Sequence, residues 1–184
     1  TSVSKMLEKL GVHIIDTDVI AHEIVEPNSD CLNELVNYFG DSILNDDKTL
    51  NRKKLASIAC SDKQKTEALS NITHKYIKAE VVKDINTTDA ELVGIDGAVI
   101  IGSNVEPLCE FIVSVIADKQ SRITRIKTRD NITDEQAIQR INAQNDDEFY
   151  KENSMYIIYN NGDIAQLESD VVGLFNKIKG NSFE

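Results

Sequence analysis

The chain has 184 residues, of which 41% are hydrophobic and 28% charged, and its formal net charge is −11 at pH 7. This length fits one domain, or one core with an inserted lobe, of ordinary globular composition. The negative charge argues against a broad nucleic-acid-binding surface. No apolar run in the sequence approaches the length of a membrane span.

The first predicted element is a helix that ends at Gly11. Its apolar positions follow helical spacing: Val3, Met6, Leu7 and Leu10. Because the first residue is Thr1 and already belongs to this helix, we expect further chain before it.

Two carboxylates follow the first predicted strand, which covers residues 12–15. Asp16 and Asp18 come directly after this apolar run. In open α/β sheets, ligands bind beyond the carboxyl ends of the strands. Two acids there suit a bound cation or a hydroxyl that must lose a proton. The alternative is that an Asp only caps the next helix, predicted from Val19; because there are two acids, we favour the functional interpretation.

The middle of the chain is predicted to be mostly helical, with helices over residues 31–39, 52–59 and 63–83. No strand separates the last two, which therefore look like an inserted lobe. Two apolar runs follow, over residues 91–95 and 111–117. Because neither alternates with polar residues, both are typical of parallel strands that are covered on both faces.

The last third of the chain repeats the alternation of helix and strand. Helices are predicted over residues 119–128, 133–145 and 163–179, with a strand over 155–159. Thr133 is a predicted N-cap, and Gln136 completes its capping box. This order of elements predicts an α/β fold with a mainly parallel sheet.

Several cationic and polar side chains are candidates for a site. Arg122, Arg125 and Arg129 are spaced i, i+3 and i+7 on one helix face, where guanidinium groups suit phosphate oxygens. The alternative is a solvated face that is balanced by acids. His22 lies one turn after Asp18 and either pairs with it or makes a local helix contact. The others are isolated candidates: Arg52, His74 and the turn formed by Asn160, Asn161 and Gly162.

The three cysteines are odd in number, widely spaced and outside any C-x-x-C pattern: Cys31, Cys60 and Cys109. Such usage fits buried thiols in a reducing compartment, without a disulfide framework or a zinc site. Since no signal peptide is evident, we expect a cytoplasmic protein.

Taken in order, these motifs resemble the dephospho-CoA kinase family of P-loop kinases. Residues 15–22 are similar to the family's D-A-D-x-I-A-H strand end, and residues 50–52 and 72–74 to its L-x-R and I-T-H motifs. Residues 125–144 resemble its R-x-x-x-R-D … T-x-E-x-A-x-x-R-I-x-x-Q lid, and residues 157–162 its V-I-x-N-N-G segment. Each fragment is weak alone, but the order and spacing of all of them are specific.

The resemblance implies a three-layer P-loop NTPase fold, with residues 1–184 forming one kinase domain. Its core would comprise residues 1–27, 91–118 and 155–184, with a helical acceptor-binding lobe over about 28–90 and a lid over about 119–150. Thr1 would follow the Walker A lysine, so the first strand and the glycine loop would precede it.

The resemblance also implies an activity: ATP-dependent phosphorylation of the 3′-hydroxyl of dephospho-CoA, the last step of coenzyme A biosynthesis, by a monomer that uses Mg²⁺. Asp18, Arg125 and Arg129 would be catalytic, and Thr1 and Asp16 would hold the metal. The acceptor would be bound by Asp16, His22, Arg52 and His74. The nucleotide would be bound by Thr1, Ser2, Arg125, Arg129, Arg140, Asn160, Asn161 and Gly162.

Two other functions remain open at this point. Another P-loop small-molecule kinase, for nucleosides or nucleoside monophosphates, explains the strands, the lid and the paired acids, but explains Arg52 and His74 less well. A noncatalytic binding protein without a P-loop is the alternative from a different class.

Overall fold

The computed structural model describes residues 2–181, which contain four short strands and nine α-helices. In chain order the elements are α1 (Ser2–Lys9), β1 (His13–Asp16), α2 (Thr17–Glu23), α3 (Asp30–Phe39), α4 (Arg52–Ala59), α5 (Lys63–Thr87), β2 (Val93–Asp96), β3 (Val113–Ile116), α6 (Lys119–Asp130), α7 (Asp134–Asn142), α8 (Asp147–Glu152), β4 (Tyr156–Tyr159) and α9 (Ile164–Asn181). They divide into two compact units: one is His13–Leu108, and the other combines the residues before His13 with those from Cys109 onward.

The unit His13–Leu108 is built on a parallel pair of strands. β1 pairs with β2 in a register that runs from His13 opposite Val93 to Asp16 opposite Asp96. Its core joins β1 and α2 to α3 and α5, and its most buried side chains include Ile15, Leu35, Ile43 and Val81. Burying each such side chain contributes roughly 1.5–3 kcal/mol. The helices of the predicted lobe therefore share one core with the first strand.

The other unit is built on a second parallel pair, β3 and β4, in which Val113 lies opposite Tyr156 and Ile116 opposite Tyr159. α1 packs against α9, and apolar side chains from both helices and from β4 form the core: Val3, Met6, Ile158, Leu167, Val171 and Leu174. A smaller apolar cluster of Ile123, Ala137 and Ile141 holds α6 against α7.

The predicted α/β class and the parallel pairing are confirmed, and most elements lie within a few residues of their predicted bounds. α2 begins at Thr17, two residues before the predicted start, because Asp16 is its N-cap. α5 continues through Thr87, beyond the predicted end at residue 83. α8 was not predicted. Among the helices of the described residues, none combines the length and the apolar character that a bilayer crossing requires.

Candidate active site

Two acids lie side by side at the carboxyl ends of β1 and β2. Asp16 and Asp96 are paired in register. One oxygen of Asp16, Oδ1, accepts hydrogen bonds from the backbone N–H groups of Asp18 at 2.9 Å and Val19 at 3.1 Å. The capping role that was the alternative is therefore present, and it fixes the orientation of this carboxylate. Asp96 was not among the predicted site residues, although an Asp ends the second apolar run just as Asp16 ends the first.

Asp18 presents an exposed carboxylate in the first turn of α2. Within residues 2–181, no hydrogen bond or ion pair engages that carboxylate. Nδ1 of His22 instead lies 2.7 Å from the backbone carbonyl oxygen of Asp18, an arrangement in which a proton on Nδ1 is donated to the carbonyl. Of the two contacts that the sequence allowed for His22, the local helix contact is the one present. The Asp18 carboxylate is thus available to a substrate.

The two candidates on the helices of this unit lie in different surroundings. Arg52 is the exposed first residue of α4, and no ion pair holds it among the described residues. His74 is half-buried near the middle of α5, and its backbone carbonyl accepts a hydrogen bond of 2.9 Å from Nδ2 of Asn104. No described hydrogen bond joins the Arg52 and His74 side chains, although α4 packs on α5.

A salt bridge beside His74 fixes α5 against α3. Nζ of Lys75 lies 2.5 Å from Oε2 of Glu34, and the Tyr76 hydroxyl donates to the same oxygen at 2.7 Å. The hydrogen bond from Lys75, followed by that from Tyr76, lowers the pKa of Glu34. This cluster holds the His74 segment of α5 in place.

In the other unit, predicted nucleotide-binding residues from α6 and from the end of β4 come together. Nη2 of Arg125 donates to the backbone oxygen of Asn160 at 3.0 Å and to its Oδ1 at 3.2 Å. Oδ1 of Asn161 accepts a hydrogen bond of 2.7 Å from the backbone N–H of Asp118, the N-cap of α6. Hydrogen bonds from the Ser121 hydroxyl and backbone lower the pKa of Asp118. The carboxyl ends of β3 and β4 are thus joined through side chains.

Two more arginines of this region, Arg129 and Arg140, converge on one acid, Asp130. Nε and Nη2 of Arg129 donate to its two carboxylate oxygens at 2.7 and 3.0 Å, and Nη1 of Arg140 pairs with the same group. The hydrogen bonds from Arg129 are the largest cause that lowers the pKa of Asp130. This acid was not a predicted site residue. Arg122, in contrast, is paired with Asp147 at 3.0 Å, as the alternative of a balanced face required.

Three further residues were predicted to bind the nucleotide. Thr1 lies outside the described residues, Ser2 is the exposed first residue of α1, and Gly162 is exposed just after β4. The roles predicted for them stay predictions.

The acids suit a hard cation by their chemistry. Mg²⁺ prefers oxygen ligands and is usually held by one or two carboxylates together with substrate phosphates and water. Asp16 and Asp96, on adjacent strand ends, supply such a donor set. Within residues 2–181, no group of three or more His, Cys, Asp or Glu side chains is arranged to hold a metal ion by itself.

Comparison with known proteins decides the family. The family model described as dephospho-CoA kinase matches residues 1–166. The chain belongs to the dephospho-CoA kinase family. Because this family consists of kinases, the chain is an enzyme of the phosphotransferase class.

Individual members of the dephospho-CoA kinase family match along nearly the whole chain. The dephospho-CoA kinase of Listeria monocytogenes serovar 1/2a is 33% identical over 184 residues, which cover 98% of this chain and 92% of the relative. That of Lactobacillus johnsonii is 31% identical, with 97% and 91% covered.

Solved structures agree with the assignment. The dephospho-CoA kinase from Campylobacter jejuni is 25% identical and superposes with a TM-score of 0.68, covering 98% of this chain and 92% of that one. The protein TT1252 from Thermus thermophilus superposes with a TM-score of 0.82 over 95% of this chain and 89% of its own; at 21% identity it supports the fold alone. The P-loop NTPase fold predicted by resemblance is thereby confirmed.

Proposed function

We propose that this chain transfers the γ-phosphoryl group of ATP to the 3′-hydroxyl of dephospho-CoA, giving CoA and ADP, and so completes coenzyme A synthesis. The family match over residues 1–166 carries this proposal. The contacts within each unit support it, because the acids lie at the ends of β1 and β2, and the arginines lie beside the end of β4.

Asp18 is the proposed general base for the attacking hydroxyl. As the 3′-oxygen forms its bond to the γ-phosphorus, the bond from that phosphorus to the bridging oxygen of ADP breaks, and the hydroxyl proton passes to the Asp18 carboxylate. The free, exposed state of this carboxylate supports the role. Asp16 and Thr1 would hold Mg²⁺, with Asp96 as an added neighbour of Asp16; when bound, the ion neutralises phosphate charge.

Arginines are the proposed partners of the nucleotide phosphates. Arg125, Arg129 and Arg140 would neutralise charge on the transferring group, which phosphoryl transfer requires more than covalent help. Ser2 would lie near the phosphates as well. Residues 160–162 would border the adenine, a role that the hydrogen bonds from Arg125 and Asp118 to this segment support. Closure of the lid over residues 119–150 would exclude water as a competing acceptor.

The acceptor would be bound by the helical residues of the other unit. Arg52 offers an exposed cation for the phosphates of dephospho-CoA, and His74 is held beside the Lys75–Glu34 pair. His22 and Asp16 would contact the ribose. We further propose that residues 28–90 act as the acceptor-binding lobe, residues 1–27, 91–118 and 155–184 as the core, and that the enzyme is a cytoplasmic monomer.

Release of ADP in the presence of different acceptors tests this function. With the full-length protein, ATP and Mg²⁺, we expect kcat/KM to be at least about a hundredfold higher for dephospho-CoA than for AMP, adenosine or deoxynucleosides. A preference for a nucleoside or a nucleoside monophosphate would favour a different P-loop kinase. If none of the acceptors in the panel led to ADP release, a binding protein without catalytic activity would be favoured.

A further inference from the structure

One glycine near the candidate site, Gly97, has to be small because a neighbouring side chain leaves no room for a Cβ. Its backbone conformation does not require glycine. Gly97 follows β2 directly and does not take a positive φ, so its backbone conformation is open to other residues. A Cβ added there would lie 2.1 Å from Oγ1 of Thr17 and 3.4 Å from Cβ of Thr17. A separation of 2.1 Å between such atoms is far below van der Waals contact. Position 97 is therefore small because Thr17 occupies the space.

Thr17 uses this close approach to make a hydrogen bond between elements. Its hydroxyl donates to the backbone carbonyl oxygen of Asp96 at 3.0 Å. Thr17 is the first residue of α2 and stands between Asp16 and Asp18. The β1–β2 ladder ends at Asp16 opposite Asp96, so the Thr17 hydroxyl continues the connection beyond the last strand pair.

We propose that Thr17 and Gly97 are a positioning pair, which sets the distance of the Asp16–Asp18 turn from the end of β2. This inference rests on the proposed function, because the distance matters only if Asp18 has to reach the attacking hydroxyl of the acceptor. A methyl group at position 97 would force Thr17 to rotate about χ1, and the hydroxyl would then lose the Asp96 carbonyl. The nearest atom outside Thr17, Cδ1 of Ile100 at 3.2 Å, is the flexible end of a side chain. The strain would therefore fall on the turn that carries the acids.

A double-mutant cycle tests the pair. In G97A we expect kcat for dephospho-CoA phosphorylation to fall about tenfold or more, while KM for ATP stays within about twofold, because misplacement of a reacting group acts on the chemical step. In the double variant G97A/T17A the space is restored, so kcat should recover to that of T17A alone. G173A is the matched control: a Cβ at Gly173, in α9, meets nothing within 4 Å, and its kinetics should equal those of the wild type.

A second pair of variants tests the hydrogen bond even if G97A does not fold. T17S keeps the hydroxyl, whereas T17V keeps the branched shape and removes the donor. We expect T17S to retain kcat and T17V to lose it about fivefold or more, while KM for ATP stays within about twofold of the wild-type value in both. A T17V enzyme with normal kcat, or a double variant with a kcat well below that of T17A alone, would overturn the positioning role. A wild-type enzyme without activity on dephospho-CoA would instead overturn the proposed function.

Discussion

The carboxylates of Asp16 and Asp18 are only two residues apart, yet their surroundings assign them different tasks. Asp16 is engaged as the N-cap of α2, while the carboxylate of Asp18 has no partner within residues 2–181. A group that must accept a proton in the reaction has to be within reach of the substrate and free of a competing protein contact. The Asp18 carboxylate is exposed and makes no competing contact within residues 2–181, which agrees with the proposed role.

Replacement of Asp18 by asparagine should therefore affect the chemical step. We expect D18N to lower kcat by about 10² to 10⁴, the usual contribution of general base catalysis, and to leave KM for ATP within about twofold. Steady-state kinetics with both substrates give the result. D30N is the matched control, because Asp30 is an exposed acid in the first turn of α3, as Asp18 is in α2. Equal kcat in D18N and D30N would remove the proposed role.

The cysteines offer a test of the core of the unit His13–Leu108. Cys31 is 1% exposed, and burial, with a smaller effect of Glu34, raises the pKa of its thiol to about 11. The raised pKa stabilises the fold at pH values below the unfolded pKa of about 8.5, and this stabilisation is lost as the pH rises towards 11.

In the variant C60S/C109S, Cys31 is the one remaining thiol. We expect no labelling by a thiol reagent at pH 8 in native protein and one label per chain in denaturant, measured by mass spectrometry. Rapid labelling without denaturant would mean that α3 does not pack as described.

Some candidate site residues are recognisable in the sequence, and others are not. Asp16 and Asp18 stand out because an apolar strand ends in both. Asp96, Asp118 and Asp130 resemble ordinary strand ends and helix caps, and their importance depends on neighbours distant in sequence, such as Asp16 for Asp96 and Arg140 for Asp130. Only tertiary contacts show that these three acids belong near the candidate site, and a local sequence pattern does not encode such contacts.

Helices with a strong apolar period and strands formed by continuous apolar runs were predicted well, and the exceptions have physical reasons. α4 matches its prediction from Arg52 to Ala59, since Asn51 is a clear cap and Leu55 and Ala59 are buried. α8 was missed because it is a six-residue segment with no buried residue, so no apolar period marks it. Which strands pair, and in which register, was beyond a local pattern.

Two acids, Asp130 and Asp134, form ion pairs that join α6 to α7. Variants of each acid can therefore separate a role in the site from a role in stability. Asp130 pairs with two candidate phosphate-binding arginines, Arg129 and Arg140, whereas Asp134 pairs with Lys127. Both acids connect the same helices, but only the first orients candidate site residues.

We expect D130N to lower kcat/KM for ATP about tenfold, because both guanidinium groups lose the carboxylate that orients them. D134N is the matched control. It should change kcat/KM for ATP less than about twofold, while its melting temperature shifts about as much as that of D130N. Since arginine hydrogen bonds lower the pKa of Asp130, the pairing should hold at neutral pH and be lost only as the pH falls below the usual carboxyl range. Equal kinetics for D130N and D134N would reduce Asp130 to a structural contact.

For the molecule as a whole, charge and activity have to be reconciled. A chain with a net charge of −11 repels nucleotides on average, so an enzyme that binds two phosphate-bearing substrates needs local positive charge. The candidates for this charge are the arginines of α6 and α7 in one unit and Arg52 in the other. The net charge argues against a broad nucleic-acid surface, and the proposed nucleotide chemistry rests on where the arginines lie in the sequence and not on the total charge.

The position of the new phosphate on the product is the most direct test of this account. The full-length enzyme would be incubated with ATP, Mg²⁺ and dephospho-CoA, and the purified product examined by ³¹P NMR. We predict one new phosphomonoester signal, coupled to the hydrogen on the 3′ carbon of the ribose, with one ADP formed per product. A phosphate on any other position, or ADP formed without a phosphorylated product, would contradict the account.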